Sequence, residues 1–231
     1  PNINPNIEGE TYNLTPLNHA CEILNIPIIK LLLKHGAIPN DNDDETNFQW
    51  IFMNDEGTSE QKFIAIKLLL EHGYKLYNFD YGSFTNLKDD EIEIAKLLLQ
   101  HIQDPDIKNN ALLNAAKKDQ IDMVSLLLDY GADPNTIDIY NKDTPLMYTI
   151  DNKDIPMMII LLDHGADPHY IYEDDYGKSY NMLELAKQQY FRRGLEYLKE
   201  YISEKNKMQN SEQRIAMSKE LNPRLGQESL L

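Results

Sequence analysis

Apolar positions along this chain fall into short runs with helical spacing, and the densest run returns five times. Leu31-Leu32-Leu33-Lys34-His35-Gly36-Ala37 is followed by Leu68-Leu69-Leu70-Glu71-His72-Gly73 and Leu97-Leu98-Leu99-Gln100-His101-Ile102. Leu126-Leu127-Leu128-Asp129-Tyr130-Gly131-Ala132 and Leu161-Leu162-Asp163-His164-Gly165-Ala166 complete the set. The ends at 36, 73, 102, 131 and 165 lie 37, 29, 29 and 34 residues apart, around the period of about 33 that marks helix-pair repeats. The spacing of Ile28, Leu31 and Leu32, or of Met123, Leu126 and Leu127, sets an apolar stripe on one helix face. A single helix pair cannot bury such a stripe, so neighbouring pairs must stack.

Each repeat also carries start and stop signals. Counting back 21 residues from the end positions reaches Thr15-Pro16-Leu17, Asn110-Ala111-Leu112 and Thr144-Pro145-Leu146, with Tyr81-Gly82-Ser83 a weaker match. The second repeat fits with a six-residue insertion, because Thr46-Asn47-Phe48 lies 27 residues before Gly73. Thr15 and Thr144 can cap a helix whose first turn accepts Pro16 and Pro145, since proline there lacks only an amide hydrogen that has no helical acceptor. Gly36, Gly73, Gly131 and Gly165 can supply the left-handed residue that ends the second helix.

These strings resemble the ankyrin repeat, whose pattern is a Thr-Pro-Leu-His helix start, an Ala pair, a second helix ending in Leu-Leu-Leu and then Gly-Ala-Asp-Pro-Asn. Gly131-Ala132-Asp133-Pro134-Asn135 reproduces the last string and Gly165-Ala166-Asp167-Pro168-His169 nearly does. The resemblance covers residues 12–203 and implies an all-α fold, a solenoid of stacked helix-turn-helix pairs with short β-hairpin loops. Its repeats fall at about 12–40, 41–77, 78–106, 107–139 and 140–172, with a cap at 173–203 whose charged helix runs through Arg192 and Arg193 to Tyr201. Departures are specific. Asn18, Gln49, Leu113 and Met147 stand where the pattern has His, and Asn54 to Ser59 lengthens the turn inside the second repeat. Ile102 replaces the terminating glycine, so that helix is expected to end another way, with Asp104-Pro105 as the stop. Residues 1–11 read as the end of an upstream repeat or loop, with Pro1-Asn2 placed like Pro134-Asn135. Cys21, Ile23 and Leu24 make the first helix more apolar than an outermost cap, as in a fragment of a longer array. Residues 204–231 form a polar tail, expected to be largely disordered or to hold a short helix capped by Ser211 and ending at Leu221.

Composition narrows the function. The 231 residues are 42% hydrophobic with a net charge of -16, and the longest apolar run, Met157 to Leu162, is far too short to span a bilayer. A single cysteine excludes an internal disulfide framework. These features lead us to expect a soluble, cytoplasmic protein. The tail's Lys205, Lys207, Arg214, Lys219 and Arg224 offset Glu204, Glu212, Glu220 and Glu228, so the negative charge belongs to the repeats. Such a field repels nucleic acid and anionic lipid and attracts basic partners.

Many of the acids fall in the expected hairpins: Asp41, Asp43, Asp44 and Glu45, then Asp80, Asp138 and Asp143, then Glu173, Asp174 and Asp175. Aromatic residues share those hairpins. The resemblance implies that hairpin tips and the exposed side of helix one form a concave recognition face. The candidate protein-binding residues are therefore Tyr77, Phe79, Asp80, Tyr81, Tyr140, Asp143, Tyr172, Glu173, Asp174, Asp175 and Tyr176, with Lys117, Lys118 and Asp151 beside them. Tyrosine offers large contact area at low entropy cost and attracts cations through its ring. The expected partner is another protein bearing a basic segment, taken by a monomeric scaffold, with no nucleic acid and no membrane insertion.

Catalysis finds little support. His35, His72, His101 and His164 occupy one repeated slot at the end of helix two, which argues for a structural role. His19 and Cys21 lack the convergent third group a dyad needs. The acidic run Asp41 to Glu45 lacks the glycine and distal Glu of a calcium loop. No cofactor, metal or enzymatic activity is expected of these residues. A second reading makes the stretch the substrate-targeting region of a larger enzyme with its catalytic domain upstream. The Asn-, Ile-, Lys- and Tyr-rich composition looks similar to ankyrin proteins of intracellular bacteria such as Legionella or Rickettsia, or of giant viruses. That likeness implies an effector in the host cell cytosol, with the tail resembling a type IV secretion signal.

Overall fold

The computed structural model describes residues 4–7, 14–39, 47–76, 87, 91–174 and 176–221, with side chains described through 213. The chain divides into two compact units, Pro1–Asp133 and Pro134–Leu231.

The first unit holds, among its described residues, helices α1 (Pro16–Glu22), α2 (Ile26–Lys34), α3 (Asn47–Met53), α4 (Ser59–Glu71), α5 (Ile92–His101), α6 (Pro105–Lys117) and α7 (Ile121–Asp129). α1 packs on α2 and α3, α2 and α3 on α4, α4 on α5, α5 on α7, and α6 on α7. Leu17, Ile29, Ile51, Ile66, Leu69, Ile94, Leu98, Leu112 and Leu127 are fully buried in this stack, each contributing about 1.5–3 kcal/mol on removal from water. Met123, Leu126 and Leu127 lie on the buried face of α7 as expected. In α2 the expected stripe is corrected: Ile29 and Leu33 are buried, while Ile28 and Leu31 face outward.

Local rules explain the helix ends. Thr15 caps α1 through a reciprocal box in which the Asn18 amide donates to Thr15 Oγ1 and the Thr15 amide to Asn18 Oδ1, both at 3.3 Å. Asn18, at the position where the pattern has His, thus closes the cap. Gly36, Gly73 and Gly131 end their helices at φ 86°, 92° and 84°, a region glycine enters without a Cβ penalty. Ile102 is instead extended (φ -82°, ψ 115°) and buried. Asp104-Pro105 then does more than stop α5, because Asp104 Oδ1 accepts the Asp106 amide at 2.9 Å and starts α6 at Pro105, five residues before Asn110. Within the helix pairs, the turn residues Leu24 and Asp119 are left-handed at φ 48° and 61° although neither is glycine.

Two further contacts organise this unit. The lengthened turn of the second repeat docks on the first: Asn54 Nδ2 donates to Glu22 O at 2.7 Å, and the Gly57 amide to Asn54 Oδ1 at 2.6 Å. A Cβ on Gly57 would lie 2.0 Å from Leu24 Cδ1. Asn6 Nδ2 donates to Gly36 O at 3.1 Å while its Oδ1 accepts the Ile38 amide at 2.8 Å.

The second unit holds α8 (Pro145–Asn152), α9 (Ile155–Asp163), β1 (Ile171–Glu173), β2 (Ser179–Asn181), α10 (Met182–Gln188) and α11 (Arg192–Leu221). α8 packs on α9 and α10, and α11 on α9 and α10. The antiparallel strands pair Ile171 with Asn181, Tyr172 with Tyr180 and Glu173 with Ser179. Asn135 repeats the Asn6 arrangement, donating to Gly165 O at 3.0 Å and accepting the Asp167 amide at 2.7 Å. Pro5-Asn6, not Pro1-Asn2, is therefore the counterpart of Pro134-Asn135.

Thr144 departs from expectation. Its side chain makes no capping bond and its buried hydroxyl has no hydrogen-bond partner; Met147, three residues on, offers no polar group to return one. α10 is capped by the reciprocal bonds of Asn181 and Glu184, both at 2.9 Å. α11 begins with Gly194 pressed against the Phe191 ring and is pinned where Tyr201 OH donates to Leu162 O at 2.8 Å. It continues unbroken to Leu221, where the tail from residue 204 was expected to be largely disordered or to hold a short helix ending at that residue. Ser211 lies inside that helix, its hydroxyl donating to Met208 O at 2.7 Å, and is not a cap. No helix among the described residues is long and apolar enough to cross a membrane.

Candidate functional site

Two hairpins of the second unit carry most of the candidate residues that the structure describes. The first turns between Asp138 and Asp143. The Asp138 amide donates to Asp143 O at 2.9 Å, and the Lys142 amide returns to Asp138 O at 3.0 Å. Asp138 Oδ1 accepts the amides of Tyr140 and Asn141 at 2.8 and 3.3 Å, the side-chain turn that aspartate favours. Lys142 closes the loop at φ 63°, its ammonium donating to Ile139 O at 3.2 Å. With the backbone satisfied from within, the tip side chains point outward: Ile139 is 72% and Tyr140 88% exposed.

The second hairpin uses the same chemistry. Asp174 Oδ1 accepts the amides of Lys178 at 2.9 Å and Tyr176 at 3.0 Å, and Gly177 takes the left-handed position at φ 76°. The bonds from Lys178 and then Tyr176 hold the Asp174 carboxyl below its ordinary pKa. Lys178 Nζ lies 4.6 Å from the Tyr180 ring centroid, and contact with Tyr180 raises its pKa. Tyr176 is 95% and Ile171 64% exposed.

A hydrogen bond couples the hairpins. Tyr170 OH donates to Lys142 O at 2.9 Å; burial, with the Asp143 charge behind it, raises the phenol's pKa and keeps it protonated as a donor. Tyr140, Asp143, Tyr172, Glu173, Asp174 and Tyr176 therefore sit on two tied loops. Tyr172 differs from Tyr140 and Tyr176: it is half-buried and faces Tyr180 across the strands.

The remaining described candidates lie on other segments of the chain. Asp151 is exposed near the C-terminal end of α8, away from the loop that precedes this helix, and desolvation raises its carboxyl pKa. Lys117 and Lys118 are exposed at the end of α6 in the first unit. Tyr77, Phe79, Asp80, Tyr81 and Asp175 lie outside the described residues, as do Asp41, Asp43, Asp44 and Glu45. The exposed aliphatic residues Ile137, Ile139 and Ile171 were not anticipated. Their signal was β-branched residues within loops otherwise rich in polar groups.

Groups that could suggest catalysis have structural partners. The Nδ1 atoms of His35, His72, His101 and His164 lie 2.8–2.9 Å from the carbonyl oxygens of Leu31, Leu68, Leu97 and Ile160. Each ring thus occupies a carbonyl near the end of its helix. His19 is exposed and turned to Glu22 at 3.1 Å, whereas Cys21 is buried with its thiol pKa pushed up to about 12. A shallow recess of about 400 Å³ beside the lengthened turn is bordered by Glu22, Asn54, Glu56 and Gln61, without a pair of groups arranged for proton or acyl transfer.

A sequence profile of the family described as "Ankyrin repeats (3 copies)" matches residues 86–172, and one described as "Ankyrin repeat" matches 12–41; together they cover about half of the chain. No curated protein sequence matches the chain significantly. Among solved structures, an ankyrin repeat domain from Acinetobacter baumannii AYE is similar at 20% identity and a TM-score of 0.65, over 80% of this chain and 97% of that one. The human ASB11 ankyrin repeat domain is similar at 19% identity and 0.55, over 79% and 81%. That of Bcl-3, described as a unique member of the IkappaB protein family, is similar at 20% identity and 0.55, over 74% and 77%.

Proposed function

Because this chain belongs to the ankyrin repeat family, whose repeats generally mediate protein–protein interaction and are typically non-catalytic, we propose that it captures a basic protein segment on the tied hairpins of its second unit. The observation that carries this reading is the Tyr170–Lys142 bond beneath four outward side chains, Ile139, Tyr140, Ile171 and Tyr176. Exposed aromatic and aliphatic anchors on a backbone already satisfied from within lose little freedom on binding. Asp138, Asp143, Glu173 and Asp174 line the same loops, and the net charge of -16 favours a cationic ligand. Arg or Lys in an extended partner would meet carboxylates at the rim and tyrosine faces at the centre. A role as an effector in a host cytosol belongs to the same proposal and rests on composition alone.

The test is a binding screen of arrayed basic peptides against the full chain, repeated with Tyr140→Ala/Tyr176→Ala. Loss of two interface anchors should weaken binding tenfold or more, since each typically contributes about 2 kcal/mol, with the circular dichroism spectrum unchanged. Peptides that bind both proteins equally would place recognition elsewhere.

A further inference from the structure

The long turn inside the second repeat is more than closure requires. In the same unit α6 passes into α7 through residues 118–120 alone, with Asp119 left-handed at φ 61°. The longer turn between α3 and α4 is nonetheless fixed in place. Asn54 Nδ2 donates to Glu22 O at 2.7 Å, the Gly57 amide donates to Asn54 Oδ1 at 2.6 Å, and Gly57 lies so close to Leu24 that only glycine fits. Leu24, where the short turn has Asp119, is held left-handed at φ 48° and is 4% exposed.

The docked turn and the end of α1 border the recess of about 400 Å³, a volume at the small end of ligand-binding clefts. Its lining divides by chemistry: Ile23 and Leu24 are apolar, Glu22 and Glu56 acidic. Ile23 is 62% exposed at the C-cap of α1, the position Lys118 fills after α6, and Met53, next to Asn54, is 63% exposed. The bordering amide side chains are already engaged, Asn54 by the two bonds above and Gln61 in the cap of α4, where its Oε1 accepts the Thr58 amide at 3.0 Å. The carboxylates retain capacity. Glu56 is exposed and joins none of the described ion pairs, and Glu22 offers one oxygen to His19 and keeps the other.

This lining suits a side chain that is apolar along its length and cationic at its end. Lysine and arginine lay their methylenes on apolar surface while the charged head stays polar. An anion would meet two carboxylates, and a second copy of this chain would bring a net charge of -16 against an equal one. We propose that the recess binds an arginine or lysine of a partner protein, its stem against Ile23 and Leu24, its head group at Glu22 and Glu56, and its apolar neighbours over Ile23 and Met53. The site belongs to the first unit and does not depend on the hairpins of the second.

The experiment titrates the full chain with the acetylated, amidated tetrapeptide Leu-Arg-Leu-Gly, and with the same peptide carrying uncharged citrulline for arginine, following amide shifts by NMR. The arginine peptide should move the Ile23, Leu24, Gly57 and Gln61 amides. Read at those amides, Glu22→Gln/Glu56→Gln should weaken its binding about fivefold, the loss of two exposed ion pairs, and citrulline should weaken it by about as much. Tyr140→Ala/Tyr176→Ala should leave it unchanged, which separates this site from the hairpins. No shift of those amides at millimolar peptide, equal affinity for the two peptides, undiminished affinity in the carboxylate variant, or loss in the tyrosine variant would each overturn the proposal. If the peptide moves nothing and spermidine moves the same amides, the recess belongs to a small polyamine and the proposal fails.

Discussion

Asn135 holds Asp167 by its backbone: Asn135 Oδ1 accepts the Asp167 amide at 2.7 Å while its Nδ2 donates to Gly165 O at 3.0 Å. One side chain thereby satisfies two backbone groups thirty and thirty-two residues away, next to the left-handed glycine that ends α9. Asn135→Ala should cost about 1–2 kcal/mol for two lost bonds. Asn135→Asp should be no better, since it loses the donor and sets a negative charge beside the carbonyl end of a helix. Urea denaturation of both variants checks this, and exchange of the Asp167 amide should accelerate in each.

A second pair ties the first unit internally. Lys62 Nζ meets Glu91 Oε1 at 2.9 Å with both side chains buried. Removing one member strands the other charge away from water, at a cost of about 3–5 kcal/mol, whereas replacing both with apolar groups can be nearly neutral. Lys62→Met should thus be strongly destabilising and Lys62→Met/Glu91→Leu much less so. A double substitution as damaging as the single one would mean that the pair contributes net stability.

The repeat architecture was legible in the sequence because leucine spacing, glycine stops and proline starts are local signals, and Gly36, Gly73, Gly131 and Gly165 occupy the conformation expected of them. What escaped depended on partners distant in sequence. Ile28 and Leu31 share the leucine pattern of α7, but only the neighbouring helix decides whether that pattern is covered. Thr144 has the same Thr-Pro-Leu start as Thr15, yet the Met147 amide donates to Thr144 O at 3.0 Å and not to its hydroxyl. The Lys62–Glu91 pair joins residues whose charges read as surface. At the candidate site the tyrosines and acids were visible in the loop composition. Their coupling through Tyr170 and Lys142 was not, because it spans twenty-eight residues.

Cys21 should report the opening of the first unit. Burial raises its thiol pKa from 9.0 to about 12, so at pH 8 it remains a protonated, shielded group and a poor nucleophile. A raised folded-state value means that its contribution to stability is complete below the unfolded value near 9 and is lost as pH climbs through about 12. Alkylation at neutral pH should be slow and should accelerate with urea in step with unfolding. Rapid labelling of the native chain would contradict this placement.

Asp174 gives the second hairpin an acid limit. Its folded-state pKa lies below the ordinary 3.8 because the Lys178 and Tyr176 amides donate to the carboxylate. A depressed value contributes stability above the unfolded pKa that fades as pH falls through the folded one. The Lys178 amide should lose protection as pH falls through that depressed value, below the ordinary 3.8. Asp174→Asn keeps the acceptor and loses the charge, so its hairpin should be looser at neutral pH but nearly indifferent to acid. Amide chemical shifts followed by NMR distinguish the two, and an unshifted Lys178 amide in the parent chain at low pH would refute the account.

Tyr170→Phe isolates the coupling between the two hairpins from the anchors they display. The substitution removes the bond to Lys142 O at 2.9 Å and leaves Tyr140, Tyr176 and the surrounding carboxylates in place. One partly exposed hydrogen bond contributes about 0.5–1.5 kcal/mol, so Tm should fall by only a few degrees. If the hairpins recognise one ligand together, the loosened pair must be ordered on binding, and affinity for a basic peptide should drop by about three- to tenfold, the equivalent of that bond. The loss should appear mainly in the dissociation rate, because the charges that steer encounter are unchanged. Affinity unaffected by Tyr170→Phe but abolished by Tyr140→Ala would reduce the site to the first hairpin alone.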